Sequence, residues 1–217
     1  MSMMAMKREI SVERPSYLKP AWPGKYKVFS WLEYAVNVPY PVFIITTLKE
    51  NGKSNACLHS WGCFGGDEKG YYSILTMLRS YHTYANILRS GDWCTNFPSA
   101  DQQEQCMKTI ECNGPDNDEI LDSGFTMEQP RVVKAPRIAE CLINLECKLE
   151  WERPLLEAGG WHVFAGRIVH VAMDDAVFEL DPSKRMQTLR TMYNLRSTLD
   201  PLTGEAGPSS LPVIGEP

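Results

Sequence analysis

The sequence predicts a mainly β protein, a small closed or split barrel with a few peripheral helices, and three observations carry that prediction. Runs rich in β-branched and aromatic residues recur along the chain, Pro41 to Leu48 being the clearest. Turn signals such as Asn51-Gly52 stand between the runs and pair them as hairpins. The connections are too short for repeated crossover helices, which favours an antiparallel barrel over a parallel α/β sheet.

Taken in order, residues 1–25 carry Pro15, Pro20 and Pro23 without any period, as expected of an N-terminal arm lying on the surface or on a partner. The domain proper is expected over 26–196. It opens with a short strand at Tyr26 to Phe29, then Pro41 to Leu48, the Asn51-Gly52 turn and a second hairpin arm from Ser54 to Trp61. Gly70 to Met77 is a further strand. A helix from Ser80 or Tyr81 carries Tyr84, Ile87 and Leu88 at one-face spacing and stops at Gly91. Asp92 to Phe97 returns as a strand, and Ser99 with Gln102 forms a capping box that opens a helix ending near Thr109. Glu111 to Asp118 is a loop, with one helical turn from Glu119 to Asp122 before Gly124. Val132 to Val133, Ile138 to Trp151 and His162 to Met173 complete the strands, the last two joined across Glu157-Ala158-Gly159-Gly160. Residues 197–217 form a Pro/Gly/Ser-rich tail, expected to be mobile or draped over a neighbour.

Composition narrows the function classes. A chain of 217 residues is one globular domain with arms, and a net charge of −5 with scattered cations makes neither nucleic acid nor an anionic membrane a natural partner. No apolar run reaches membrane-spanning length, and Met1 to Lys7 leads into Arg8, Glu9 and Glu13 without the apolar core of a signal peptide, so a cytoplasmic location is expected. Seven cysteines, an odd number with no such signal, read as reduced thiols. The pairs Cys57 with Cys63, Cys106 with Cys112 and Cys141 with Cys147 share a spacing too wide for zinc, so no metal site is expected. Cys141 and Cys147 instead alternate with Ala139, Ile143, Leu145, Leu149 and Trp151 at the period of a half-buried strand.

Catalytic signatures are absent. There is no Gly-x-Gly-x-x-Gly after a strand, no Walker loop, no His-Glu-x-x-His and no Gly-x-Ser-x-Gly, and glycines 62, 65 and 66 match none of them. Chemistry therefore belongs to a cofactor rather than to an activated side chain. Arg79, Ser80, Tyr81 and Thr83 gather where a helix begins, and there unpaired backbone N–H groups favour an anion. The same residues also fit a capped surface helix, and taken alone they leave both readings open.

Further motifs occur in order: Ser-Asn-Ala-Cys-Leu-His-Ser-Trp at 54–61, Thr83-x-x-Asn86-Ile87-x-x-Ser90-Gly91-Asp92-Trp93 with Asn96, Val-Val-Lys-Ala-Pro-Arg-Ile at 132–138, Leu145-Glu146-Cys147, and Gly160-x-His162-x-Phe164-x-Gly166-x-Ile168-Val169. On these motifs the chain resembles the flavin reductase-like, FMN-binding split-barrel family, of the flavoredoxin type, from residue 27 to residue 195. The resemblance implies a Greek-key split barrel that forms a homodimer and holds FMN noncovalently near the subunit boundary. It implies that Asn55 and Ser60 face the flavin with Trp61 beside them, and that Thr83, helped by Ser80 and Arg79, holds the phosphate. Asn86 then supports the loop. His162 lies in the matched Gly-x-His-x-x-x-Gly segment, while His170, of the same strand parity but outside the motif, reads as structural. Tyr193 matches an aromatic brought over the flavin from the C-terminal segment of either subunit.

The implied activity is an FMN-binding oxidoreductase that passes electrons from NAD(P)H, as a transient donor, or from a redox protein partner. The alternatives are an electron carrier without reductase activity and a non-catalytic flavin- or haem-binding module. One departure stands out. Relatives often carry a basic residue before the Gly-Phe-Thr segment, but no Lys or Arg lies between Thr109 and Arg131 here. Lys134 is a candidate substitute, and fewer cations near the ring disfavour anionic reduced flavin and lower its potential.

Overall fold

The computed structural model describes residues 38–195, together with 9, 11–13, 16, 32 and 33. The expected strand at Tyr26 to Phe29, most of the N-terminal arm and the tail lie outside the described residues. Two units separate: Met1–Pro39 with Leu195–Ser210, and Tyr40–Asn194 with Leu211–Pro217. Of the first, Leu32 and Glu33 are helical, and the Glu13 N–H donates to Ser11 Oγ at 3.2 Å. The second is the barrel.

Its strands are β1 (Tyr40–Pro41), β2 (Phe43–Leu48), β3 (Ser54–His59), β4 (Gly62–Asp67), β5 (Gly70–Leu78), β6 (Asp92–Phe97), β7 (Met127–Glu128), β8 (Arg137–Ile138), β9 (Ile143–Pro154), β10 (Trp161–Met173) and β11 (Tyr193–Asn194). The helices are α1 (His82–Ser90), α2 (Gln103–Glu111), α3 (Glu119–Asp122), α4 (Asp175–Phe178) and α5 (Pro182–Leu189), with a 3-10 turn at Ala100–Gln102. Seven strands form one antiparallel sheet in the order β3-β2-β6-β9-β10-β5-β4. Its two edge strands, β3 and β4, are consecutive in the chain and linked by only Ser60 and Trp61. Such a short link forces the sheet to curl until its edges approach, and the result is a split barrel.

β2 runs through the middle of the packing. Phe43 and Ile45 point into a cluster with Leu75, Met77, Ile87, Trp93 and Phe164, whereas Val42 and Ile44 face a second cluster with Ile120, Ile138 and Met192. Burial on both faces explains why Pro41 to Leu48 reads as an unbroken apolar run rather than an alternating one. Two glycines meet stringent local demands. Gly52 takes φ 82° in the β2–β3 turn, and a Cβ on Gly166 would lie 2.0 Å from the Trp93 ring, so the indole fills the space a side chain would need.

Three expectations change. β4 was unanticipated, because its glycines 62, 65 and 66 hide the strand period. Val132 and Val133 are not a strand: the Glu146 carboxylate accepts the N–H groups of Arg131, Val132 and Val133, curling that backbone around itself. The strand expected from Ile138 begins only at Ile143, and its polar face is buried too. Asn144 and Glu146 point into the protein and hold the 131–138 segment, Asn144 by donating to Ile138 O at 3.0 Å. Cys141, outside the strand, and Cys147, within it, are both buried free thiols.

Candidate functional site

Asn55 on β3 and Thr83 in the first turn of α1 meet inside the barrel wall. The Asn55 amide donates from Nδ2 to Thr83 Oγ1 at 3.0 Å, and both residues are about fully buried, at 1% and 2% exposure. Accepting this bond leaves the Thr83 hydroxyl its own proton to give. Cys57 lies against the same threonine, and burial pushes its thiol up to about 11 despite the Thr83 hydrogen bond that lowers it. One turn along, Asn86 donates to Thr47 Oγ1 at 3.0 Å, fastening α1 to β2.

At the start of α1 the N-cap is Tyr81, in extended backbone, and its side chain makes no capping hydrogen bond. The Tyr81 carbonyl takes the Tyr84 N–H at 3.1 Å, which leaves the N–H groups of the helix start ahead of Tyr84 at its positive end. Arg79 and Ser80 are exposed at this same end.

A second group forms where β9, β10 and α1 converge. His162 Nδ1 contacts Glu152 Oε1, and the Tyr84 hydroxyl donates to that same oxygen at 3.1 Å. The Tyr84 ring packs edge-on against His162 and Phe164, each at 5.2 Å. Burial, and then donation to Glu152, push the Tyr84 hydroxyl above its ordinary range, so it stays protonated, and Arg79 lies near enough to oppose that shift. His162 and His170 do not share a continuous face. The β9–β10 register shifts at Ala165/Gly166 and again at Ile168/His170, so equal parity in sequence does not carry across.

The third group lies at the link between β3 and β4. Ser60 is buried, and its Oγ accepts from Asn194 Nδ2 at 3.1 Å, next to Tyr193, which pairs with Pro41. Trp61 packs edge-on against Trp161 at 4.8 Å, and Tyr81 stands 6.5 Å from Trp161. The eight residues singled out from sequence thus fall into these three groups, with Ser80 exposed at the start of α1. Glu152, Tyr84, Trp161 and Asn194 escaped sequence reasoning. Trp161 and Asn194 each adjoin a residue that the motifs mark, whereas the sequence marks Tyr84 only as part of an apolar helix face.

The segment before Gly124, which carries no cation of its own, is held by lysines of another element. Lys49, from the β2–β3 hairpin, is buried with Glu119 at 2.9 Å and donates to Gly114 O and Asn117 O at 2.6 and 2.8 Å. Lys53 donates to Asp116 O, and Ser54 to Asp118. Burial raises the Glu119 carboxyl, against the pull of Lys49 and of the Ala56 N–H, which donates to it at 2.8 Å. Lys134, the candidate substitute, is exposed, and its backbone N–H donates to Asp92 at 3.1 Å. The clamped loop closes one wall of a cavity of about 430 Å³ beside α1, lined by Lys49, Glu50, Asn51, His82, Ala85, Asn86, Pro115 and Asp116. Among the described residues no helix is long and apolar enough to cross a membrane.

Solved structures share this architecture. Nitrilotriacetate monooxygenase component B from Bacillus cereus superimposes with a TM-score of 0.74 at 17% identity, covering 99% of this chain and 98% of its own. A Shewanella frigidimarina protein with a split barrel domain gives 0.70 at 20% identity, over 85% and 87% of the two chains. The flavoredoxin of Desulfovibrio vulgaris (Miyazaki F) gives 0.66 at 18%, over 82% and 88%. These likenesses establish the fold. The family profile described as the flavin reductase like domain matches residues 35–192, most of the chain. By that match, and with the split barrel to carry it, the chain belongs to the flavin reductase-like family, whose oxidoreductase chemistry runs on a flavin.

Proposed function

We propose that the barrel binds FMN noncovalently and passes electrons from NAD(P)H or a redox protein through that flavin, working as a homodimer. The observation that carries this reading is the uncapped start of α1 beside Thr83, Ser80 and Arg79. A monophosphate fits there on chemical grounds. The N–H groups of His82 and Thr83, which precede the bonded Tyr84 N–H, and the Thr83 hydroxyl can donate, Arg79 supplies a positive charge, and no carboxylate of the first turn opposes them. Asn55, Ser60 and Trp61 lie along β3 and just past it, where an amide and a hydroxyl can serve the polar edge of a ring and an indole can lie against its apolar face.

When bound, FMN supplies the electron chemistry, accepting a hydride or single electrons. The protein's part is to hold and tune. His162, with its imidazole held at Nδ1 by Glu152, would hydrogen-bond the flavin ring through its other nitrogen. Trp61, Trp161 and Tyr81 form an aromatic surface on which a nicotinamide can stack.

One structural neighbour is a component of a monooxygenase, which favours delivery of electrons to another protein. Another is a flavoredoxin, which favours the second reading, a carrier without reductase activity. The visible spectrum of the purified protein tests flavin binding, and anaerobic stopped-flow mixing with NADH and NADPH separates the two readings. Rapid bleaching of the flavin band by either nucleotide is expected. A yellow protein that both leave oxidised is a carrier, and a colourless protein that takes up no FMN defeats both readings.

A further inference from the structure

We infer that Glu152 and Tyr84 are positioning residues for His162: the carboxylate fixes Nδ1 as the protonated nitrogen of the imidazole, and the phenol fixes the carboxylate. The inference rests on the proposed flavin site, in which His162 faces the ring.

Three separate elements build this arrangement. In the β9–β10 ladder Glu152 pairs with Phe164 and Pro154 with His162, so Glu152 and His162 are diagonal neighbours on one face. Tyr84 reaches the same carboxylate oxygen from α1, and its ring is wedged between His162 and Phe164. An ionised carboxylate can only accept, so the imidazole nitrogen that touches it must carry a hydrogen. Nε2 is then the acceptor of the neutral ring and a donor in the imidazolium. Glu152 approaches from β9 and Tyr84 from α1, with Arg79 beyond the phenol, and the paired neighbours Pro154 and Met77 do not titrate. Glu152 therefore sets the tautomer of the His162 ring.

The protein has four histidines, so nitrogen-15 spectra of its imidazoles are simple, and loss of one signal in His162→Gln identifies the ring in question. The wild type, with FMN bound and after its removal, is expected to show the Nδ1-protonated tautomer. Glu152→Gln, which keeps shape and loses charge, is expected to shift His162 toward the Nε2-protonated tautomer while FMN affinity is unchanged. Reduction of bound FMN by the nicotinamide should slow about tenfold, the lower end of what losing a histidine's outer partner costs at other sites. Tyr84→Phe should do the same to a smaller degree, and it covers the case in which Glu152→Gln folds poorly. A wild type that binds flavin, with tautomer and rate of flavin reduction unmoved in both variants, overturns this inference alone. A wild type that takes up no flavin overturns the proposed function, and this inference with it.

Discussion

Asn55 and Thr83, 28 positions apart, share a 3.0 Å hydrogen bond that ties the strand bearing the ring-facing candidates to the first turn of the helix bearing the phosphate-facing ones. The two ends of the proposed site are thereby set by one contact, and altering either residue moves both.

Thr83→Ala is accordingly expected to weaken FMN binding by about 1.4 kcal/mol, roughly tenfold in Kd, through loss of the hydroxyl and an unpaired Asn55 amide. His170→Ala, on a strand segment beyond the register shift, should leave Kd unchanged. Quenching of flavin fluorescence on titration measures both, and equal losses would refute the assignment of Thr83.

Gly166→Ala should destabilise the barrel by about 1–3 kcal/mol, because its methyl group would meet the Trp93 ring. Replacing Trp93 by Phe in the same chain should recover part of that loss, since the atoms in conflict belong to the outer ring of the indole. Denaturant unfolding of the two single variants and the double variant reads the coupling.

Lys49→Met strands Glu119 in the interior and is expected to cost about 3–5 kcal/mol near neutrality. The Glu119 carboxyl is raised above its ordinary 4.5, first by burial, so its folded state favours the protonated form. Stability tied to such a group is present below 4.5 and is lost as pH rises through the raised value. The deficit of the variant should therefore shrink on acidification, and unfolding at mildly acid and alkaline pH checks the sign.

Glu146 works in the opposite sense. Burial pushes its carboxyl up, but three backbone N–H donors outweigh that and hold it below 4.5. Its contribution is present above 4.5 and is lost as pH falls through the lowered value. Glu146→Gln should cost about 2–3 kcal/mol at pH 7 and should flatten the acid limb of the stability curve. An acid limb as steep as that of the wild type would refute this role.

The sheet was legible wherever strand residues speak for themselves. β2, with one face in each core cluster, and β10, with its long alternating run, lie close to where their residues predict. β4 was not legible, since glycine carries no face to alternate. The start of β9 misled because Asn144 and Glu146 look like solvent-facing residues, and only the folded chain brings the N–H groups of 131–133 to them. The family motifs drew attention to Asn55, Thr83 and His162. What they could not convey was pairing across distant segments: Glu152 with His162, Asn194 with Ser60, and Lys49 with a loop that has no cation of its own.

The hydrogen bond from Asn194 to Ser60 spans 134 positions, and that separation bears on how the protein is made. A ribosome adding about 5–20 residues per second needs on the order of ten seconds to travel that far. Through that interval the β3–β4 link has emerged without the segment that fastens it, so this side of the proposed flavin site closes only after Asn194 has been made. Capture of a flavin there is therefore expected to follow that closure rather than to guide it.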